Sequence, residues 1–349
     1  MLIKTYFLFL KNKNCTIIIQ PLPYNVMTGN TLPWVEKYRP FSLCNIKGHT
    51  DIIRTLSRYK HIENIPHLLL YGPPGTGKTS TILAMARDTY GKNMSTMVLE
   101  MNASDERGVD IVKNTIQSFV ETKGIVLDGD HKVKLVILDE ADAMTSDAQT
   151  ILRRIIERYT MSVRFCICCN FVNKIIPELQ SRCTRFRFPG VSVEHLREKI
   201  LDVIDKESVI IDEESIDDII SISDGDTRKM INLLQSSSMS SGNGPSINRE
   251  DVYRCSGKPY PKDISIIINV LSNGTFSEAY GCVSEIINDN GYSLVDIVQC
   301  VYGEIPKYGI NETRLAGIMN ELSDIEYRIS QGGSDLINTA SLVSSFKVF

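Results

Sequence analysis

The chain has 349 residues, with 38 Lys and Arg against 42 Asp and Glu, a formal net charge of −4 and 42% hydrophobic residues. This ordinary globular composition excludes a disordered chain and a collagen-like fibre. The mildly acidic balance argues against a protein that coats nucleic acid through its overall charge, so any nucleic-acid contact must be local or shared with partners. The length predicts about two or three domains.

Residues 1–33 differ from the rest of the chain, because they contain no Asp or Glu and three Lys. Their apolar stretches, Tyr6–Leu10 and Thr16–Ile19, are far shorter than the ~20 residues that cross a bilayer, so we expect no membrane association. They also lack the longer apolar core and the cleavage site of a signal peptide. We interpret residues 1–33 as a disordered extension or a mis-called start, with Met27 as the true start. An organelle transit peptide is the alternative.

Nine cysteines, an odd number, are spread along the chain, which is typical of reduced thiols in an intracellular protein. The tightest group is Cys166, Cys168 and Cys169. A zinc site is one interpretation of this group. However, the group lacks paired C-x-x-C spacing and lies inside the apolar run Phe165–Cys169, which favours buried thiols on a strand.

From Trp34 the chain alternates apolar runs with amphipathic segments, the pattern of parallel strands joined by helices. Several runs do not alternate with polar residues, which indicates strands buried on both faces. The predicted strands are Leu68–Tyr71, Met97–Met101, Leu135–Leu138, Phe165–Cys169 and Phe186–Phe188. The predicted helices between them are Lys78–Tyr90, Val109–Thr122, Asp147–Tyr159 and Lys174–Gln180. The predicted fold class is therefore α/β, an αβα nucleotide-binding domain with a parallel sheet.

After Pro189 and Gly190 the strand signals stop and helical spacing begins. Helices are predicted at Val193–Glu207, Glu214–Ser223 and Thr227–Ser236, the third capped by Asp226 or Thr227, and a loop at Ser236–Ser246. Further helices are predicted at Asp263–Leu271, Phe276–Asn288, Leu294–Tyr302, Glu312–Ser330 and near Asp335–Phe346. These patterns divide the chain into an α/β domain at 34–190, a small helical domain at 191–254 and a helical carboxyl-terminal domain at 255–349.

A phosphate-binding motif follows the first predicted strand: Gly72-Pro73-Pro74-Gly75-Thr76-Gly77-Lys78-Thr79 matches G-x-x-x-x-G-K-[ST]. Glycines let main-chain N–H groups converge on phosphate oxygens, and the following helix directs its positive amino end at them. Lys78 then reaches the β- and γ-phosphates and the Thr79 hydroxyl ligates Mg²⁺. A simple Gly-Pro-rich turn is the alternative, which the strand before the motif and the helix after it disfavour.

A second acidic motif, Asp139-Glu140-Ala141-Asp142, follows the apolar run Leu135–Leu138. In a parallel sheet, a carboxylate at the carboxyl end of a buried strand adjoins the phosphate loop, so Asp139 can hold the Mg²⁺ shell. Glu140 can then polarise the attacking water as a general base. Acidic strand ends are common, and the motif is informative because it stands behind a phosphate loop.

Longer segments resemble a known family. GPPGTGKT followed by LDEAD resembles the AAA+ ATPases. Trp34–Pro40 (WVEKYRP), Asn102–Gly108 (NASDERG) and Ser181–Cys183 (SRC) resemble three signatures of clamp-loader subunits. Together with ADAMT at 141–145 and DIEYRIS at 324–330, they resemble the small subunits of replication factor C, over about residues 31–349.

The resemblance implies roles for individual residues. Asn170 matches the first sensor of the nucleotide, Arg228 the second sensor on a helical lid, and Arg182 an arginine finger that acts in trans on the neighbouring subunit's ATP. Without the family, a strand-end turn residue is an alternative interpretation of Asn170, and a solvated side chain is the alternative for each of the two arginines. Nucleotide contacts are further implied for Val35, Arg39, Gly72, Pro73, Pro74, Gly75, Thr76, Gly77, Lys78, Thr79 and Ser80.

The resemblance also implies cofactors and partners: ATP with Mg²⁺, one large and three other small replication factor C subunits, the sliding clamp PCNA, and primer–template DNA held through its backbone. Candidate DNA contacts are Arg107, Lys113 and Lys174, whose alternative is a solvated surface. The implied assembly is a nuclear heteropentamer in which residues 255–349 form the collar. Two other functions stay open: a different AAA+ machine, such as a branch-migration helicase, and a nucleotide-binding scaffold subunit that does not turn ATP over.

Overall fold

The computed structural model describes residues 32–59, 65–104, 109–121, 133–240 and 246–348. The amino-terminal segment predicted as an extension, including Met27, lies outside these residues except for its last two positions. Arg107 also lies outside them, and the side chain of Lys113 is not described.

Within these described residues, five parallel strands form one sheet, in the order β2-β3-β4-β1-β5. They are β1 (Leu68–Tyr71), β2 (Val98–Asn102), β3 (Lys134–Asp139), β4 (Val163–Cys169) and β5 (Thr184–Arg187). The inner strands β3, β4 and β1 carry the apolar runs and are buried almost throughout, whereas the edge strands β2 and β5 are partly exposed. A parallel sheet buried on both faces confirms the predicted α/β fold class.

Helices cover both faces of the sheet and form all of the regular structure after β5 apart from one isolated bridge, within the residues described. They are α1 (Trp34–Lys37), α2 (Thr50–Tyr59), α3 (Lys78–Tyr90), α4 (Met94–Met97), α5 (Val109–Glu121), α6 (Ser146–Tyr159), α7 (Pro177–Gln180), α8 (Val193–Glu207), α9 (Glu213–Ser223), α10 (Thr227–Ser240), α11 (Arg249–Ser256), α12 (Pro261–Asn273), α13 (Phe276–Asn290), α14 (Leu294–Glu304), α15 (Glu312–Ser330) and α16 (Asp335–Val348).

The cysteines of β4 lie on both faces of the sheet. Cys166 and Cys168 pack into the core that α3 covers, and Cys169 packs into the opposite core with α6. Burial raises the pKa of the Cys169 thiol to about 12. In the part of the chain that the structure describes, no group of three or more His, Cys, Asp or Glu side chains is arranged to hold a metal ion.

In the described part of the chain after β5, the helices enclose two further apolar cores. One lies among α8, α9, α10 and α11, and the other among α12 to α16. Trp34, Val35 and Tyr38 pack against the first of these cores and not against the sheet that follows them in sequence. The N–H of Trp34 donates to Gln235 Oε1 at 3.1 Å, and the Tyr38 hydroxyl donates to Glu207 Oε1 at 2.5 Å. The WVEKYRP segment is thus fixed to the helices that face the phosphate loop.

Several predicted boundaries differ from the structure by one or two residues, and two differ by more. The loop predicted from Ser236 begins later, because α10 continues to Ser240 and buries Ser237 against its core. The helix predicted at Lys174–Gln180 is a 3₁₀ turn at Val172–Lys174 followed by α7. Pro177 explains the break, since it has no N–H, starts a helix readily and keeps the preceding residue extended. Among the residues described, no helix is both long and apolar enough to span a bilayer.

Candidate functional site

The phosphate loop connects β1 to α3, and two of its glycines are required by close contacts. Gly72 has φ 148°, and a Cβ there would lie 1.9 Å from the carbonyl oxygen of Phe188. Gly75 has φ 67°, and a Cβ there would lie 1.7 Å from Asp226 Oδ1. A side chain at Gly72 would therefore collide with the main chain, and one at Gly75 would displace the Asp226 carboxylate and strain the backbone.

Lys78, the first residue of α3, is buried, and its ammonium points back into the loop. Its Nζ donates to the carbonyl oxygens of Gly72 and Pro73, both at 2.8 Å, and to Asn170 Oδ1 at 2.9 Å. Burial lowers the pKa of Lys78. Since these three partners are neutral oxygens, they hold the ammonium in place without cancelling its charge, as an anion site requires.

Thr79 and Asp139 meet directly although 60 residues separate them. The Thr79 hydroxyl donates to Asp139 Oδ2 at 2.7 Å, and Asp139 Oδ1 accepts the N–H of Glu140 at 3.0 Å. Hydroxyl and carboxylate oxygens are the ligands that Mg²⁺ prefers, so this pair fits a magnesium ion. Glu140 has φ 52°, a left-handed conformation that is rare outside glycine, and its side chain is exposed beside Asp139.

Asn170 follows β4, so the parallel sheet brings it to the same edge as the loop after β1. Its side chain reaches Lys78, and its own N–H donates to Asp142 Oδ1 at 3.3 Å. The carboxyl ends of β1, β3 and β4 therefore converge on Lys78, Asp139 and Asn170, as expected for the edge where parallel sheets bind ligands.

A solvent-open cavity of about 770 Å³ lies between the phosphate loop and the helices after β5. Seven of the residues assigned to nucleotide contact line it, namely Val35, Arg39, Gly75, Thr76, Gly77, Ser80 and Arg228. Pro40 and Thr227 also line it, although the sequence did not assign them to the nucleotide. Arg39 Nε donates to Ser80 Oγ at 3.3 Å, which joins the WVEKYRP segment to α3.

The cavity also contains residues that the sequence did not single out. His195 and Lys199 come from α8, and Asn45, Ile46 and Lys47 from the segment before α2. No local motif marks these positions, since they reach the cavity only through the packing of α8 against the amino-terminal segment. Lys199 Nζ donates to the carbonyl oxygen of Tyr38 at 3.1 Å, a contact across 161 residues.

His49 is a second residue that the sequence did not reveal. It has φ 52°, its Nε2 lies 3.2 Å from the carbonyl oxygen of Thr76, and its ring meets Phe188 edge-on at 4.9 Å. Burial lowers the pKa of His49. The ring therefore braces the phosphate loop from outside the cavity.

Arg182 does not line this cavity. It precedes β5, whose first residue, Thr184, pairs with Leu68 at the amino end of β1, whereas the phosphate loop follows the carboxyl end of β1. The Arg182 side chain is exposed and contacts Glu157 and the main chain of Glu178. The structure does not bring Arg182 together with the phosphate loop of its own chain.

The candidate DNA contacts do not form a described cluster. Lys174 is exposed, with its Nζ 5.2 Å from the centre of the Phe171 ring. Lys113 belongs to α5, and Arg107 lies outside the described residues. Helix α6 buries Leu152, Ile155 and Ile156 against the sheet, while Arg154 and Arg158 are exposed and Arg153 is partly buried.

Two family models match the chain. The model described as ATPase family associated with various cellular activities (AAA) matches residues 68–191, and the replication factor C C-terminal domain matches residues 259–345. The first match contains the phosphate loop, Asp139, Asn170 and Arg182. The chain is therefore an ATPase of the AAA class, and its site binds a nucleotide.

Solved structures share the fold. The RuvB Holliday junction branch migration motor of Thermotoga maritima aligns with a TM-score of 0.51 at 17% identity, over 74% of this chain and 88% of that one. A variant of the same motor aligns with a TM-score of 0.52 over 89% of this chain and 90% of its own. At this identity the likeness concerns the fold alone.

Relatives align over almost the whole length. Replication factor C subunit 3 of Oryza sativa subsp. japonica is 47% identical over 318 residues, which cover 91% of this chain and 87% of the relative. Subunit 5 of Arabidopsis thaliana is 48% identical, covering 90% and 86%, and subunit 5 of Homo sapiens is 44% identical, covering 91% and 92%. The chain belongs to the replication factor C family, the ATPase subunits of multi-subunit clamp loaders, and within it to the small subunits numbered 3 or 5.

Proposed function

We propose that this chain binds and hydrolyses ATP with Mg²⁺ at the carboxyl edge of its sheet, and that it uses ATP to open the sliding clamp PCNA and load it onto primer–template DNA in the nucleus. The contact between Thr79 and Asp139 at 2.7 Å carries the catalytic part of this proposal. It supports a metal site directly beside the buried ammonium of Lys78.

Each residue of the edge has a distinct part in this proposal. Main-chain N–H groups of Gly72–Thr79 and the Lys78 ammonium bind the phosphates. Thr79 and Asp139 hold Mg²⁺, which when bound neutralises charge on the phosphate oxygens. Glu140 is exposed next to Asp139 and orients the attacking water, and Asn170 reads the γ-phosphate beside Lys78. Arg228 reaches the nucleotide from the start of α10, and Val35 and Arg39 border it; all three residues line the cavity.

Arg182 completes a neighbour's site in this proposal. Its position at the opposite end of the sheet from its own phosphate loop supports action in trans. A guanidinium supplied to the transferring phosphate stabilises the charge of the transition state and is worth roughly 10³–10⁵ in rate. Hydrolysis then depends on assembly with the other replication factor C subunits, one large and three small besides this chain.

The cores of the molecule suggest how the parts divide. We propose an ATPase domain at 34–190, a helical lid at 191–254 and an oligomerising collar at 255–349, each with apolar cores of its own. Primer–template DNA is gripped through its phosphates, with Lys113, Lys174 and Arg107 as candidate contacts. The arginines of helix α6 contact another subunit, the clamp or the DNA.

One substitution in the reconstituted pentamer tests whether this subunit turns ATP over. Glu140→Gln, made in this subunit only, keeps the shape of the side chain and removes the base. We expect reduced ATPase in the presence of clamp and primer–template DNA, with nucleotide binding unchanged. Wild-type turnover in the variant would favour the scaffold function, and DNA unwinding without clamp loading would favour a branch-migration motor.

A further inference from the structure

The carboxylate of Glu157, near the carboxyl end of α6, binds the guanidinium of Arg182. Glu157 Oε1 accepts from Arg182 Nη2 at 2.5 Å, and the main-chain carbonyl of Glu178 accepts from Arg182 Nη1 at 3.1 Å. The two side chains are 42% and 38% exposed, so the contact lies at the surface. It does not touch the cavity of the phosphate loop.

The contact joins elements that the core keeps fixed. Glu157 lies in the last turn of α6, and Arg182 follows α7. Leu152 and Ile155 of α6 and Leu179 of α7 share one buried core, so neither backbone moves independently of the other. A free surface arginine samples many rotamers, whereas this one is held by two hydrogen bonds in a single orientation.

The guanidinium of Arg182 can still bind an anion while it contacts Glu157 and Glu178. An arginine has five N–H donors, and the bonds to Glu157 and Glu178 use two of them. The same carboxylate also faces Arg153, whose Nε is 3.9 Å from Glu157 Oε1. One carboxylate cannot neutralise two guanidiniums, so the group keeps a positive charge for an incoming phosphate.

We propose that Glu157 is a positioning residue that holds Arg182 in the orientation that meets the triphosphate bound by the neighbouring subunit. This rests on the proposed action of Arg182 in trans. Preorganised charge needs no rearrangement during the reaction, and residues that lock a catalytic side chain are known to affect rate without touching the reactants. Removing Glu157 therefore lowers the turnover of the neighbour's site and leaves the nucleotide affinity of this chain intact.

The test compares variants of this subunit in the reconstituted pentamer, with ATPase measured under stimulation by clamp and DNA. We expect Glu157→Ala to lower kcat about tenfold at the neighbouring site with KM unchanged. Glu157→Gln keeps an oxygen acceptor and restores part of the rate. Glu178→Gln is the matched control, because the contact of Glu178 with Arg182 is made by its main-chain carbonyl, which the variant keeps, and we expect wild-type turnover from it.

Comparing the Arg182→Ala and Glu157→Ala single variants with the double variant separates the positioning role of Glu157 from the proposed action of Arg182 in trans. If Arg182→Ala has wild-type turnover, the proposed action in trans fails. If Arg182→Ala is impaired while Glu157→Ala is not, only the positioning role fails. A rise in rate with Glu157→Ala would mean that the ion pair restrains Arg182, and a further loss on adding Glu157→Ala to Arg182→Ala would mean that Glu157 acts through another group. Either result overturns the proposal, and gel filtration of the pentamer shows that the variants assemble.

Discussion

The hydroxyl of Thr227 donates to the carbonyl oxygen of Gly75 at 2.6 Å, and the N–H of Thr227 donates to the same oxygen at 3.2 Å. One residue of α10 thus holds the middle of the phosphate loop. The Asp226 carboxylate packs against Gly75 and accepts the N–H groups of Arg228 and Lys229, which caps α10 at the same place. The phosphate loop and helix α10, which carries Arg228, are therefore fixed to each other.

Replacing Thr227 with Val removes the hydroxyl bond to Gly75 and keeps the β-branched shape. A hydrogen bond of this kind is worth about 1 kcal/mol, so we expect nucleotide affinity to fall roughly fivefold as α10 loosens from the loop. Titration with a fluorescent ATP analogue measures the change. Thr227→Ser keeps the hydroxyl and is the control. Equal affinities for the Val and Ser variants would contradict the coupling.

The sequence predicted those site residues that belong to local sequence patterns, and it did not predict contacts between residues far apart in the chain. Lys78, Thr79 and Asp139 were predicted because a strand, a glycine-rich turn and a strand-end carboxylate are local patterns that a parallel sheet brings to one edge. The Thr227 contact with Gly75 spans 152 residues and the Glu157 contact with Arg182 spans 25. Neither has a local pattern, so only the packed structure reveals them.

The fold was likewise predicted where a local sequence pattern marks the element. Strands with continuous apolar runs were found within a residue or two, since burial on both faces leaves a plain signal. The end of α10 was missed because serine-rich composition suggests a loop, whereas Ser237 is buried in the helix core. Tertiary packing overrode local propensity there.

Asp139→Asn tests the metal pair. The amide keeps the size of the side chain and one oxygen but loses the charge that stabilises a divalent cation. We expect the Mg²⁺ concentration for half-maximal ATPase of the assembled complex to rise about tenfold or more, while nucleotide binding in EDTA stays close to wild type. Asp142→Asn is the control, because Asp142 contacts Asn170 and not Thr79. An unchanged Mg²⁺ dependence in Asp139→Asn would remove this pair from the metal site.

Two glycine-to-alanine substitutions should have opposite effects on stability. Gly72→Ala places a methyl 1.9 Å from a main-chain oxygen that cannot move alone, so we expect a loss of about 3 kcal/mol and loss of nucleotide binding. Gly281 lies inside α13 with nothing within 4 Å of an added Cβ. Gly281→Ala should therefore stabilise by about 0.5–1 kcal/mol. Thermal and urea unfolding measure both, and a shift of the same sign in both variants would contradict this account.

His67 should make stability depend on pH. It is buried, and its Nδ1 accepts the N–H of Phe165 at 3.2 Å, so the folded state requires the neutral ring. Burial, and secondarily Arg164, lowers the pKa of His67 from 6.5 to about 4. Between these two pKa values the unfolded chain binds a proton that the folded chain does not. The contribution of His67 to the free energy of unfolding is therefore fully present above pH 6.5 and falls as the pH drops toward 4.

The expected loss from His67 between pH 7.5 and pH 5 is about 2 kcal/mol. Carboxylates also begin to titrate in this range, so the comparison is with His67→Gln, which offers an oxygen to the Phe165 N–H and carries no titrating ring. We expect the variant to lose less stability than wild type over the same pH interval, measured by urea unfolding at both pH values. Parallel losses in the two proteins would show that the His67 ring is not the group that titrates.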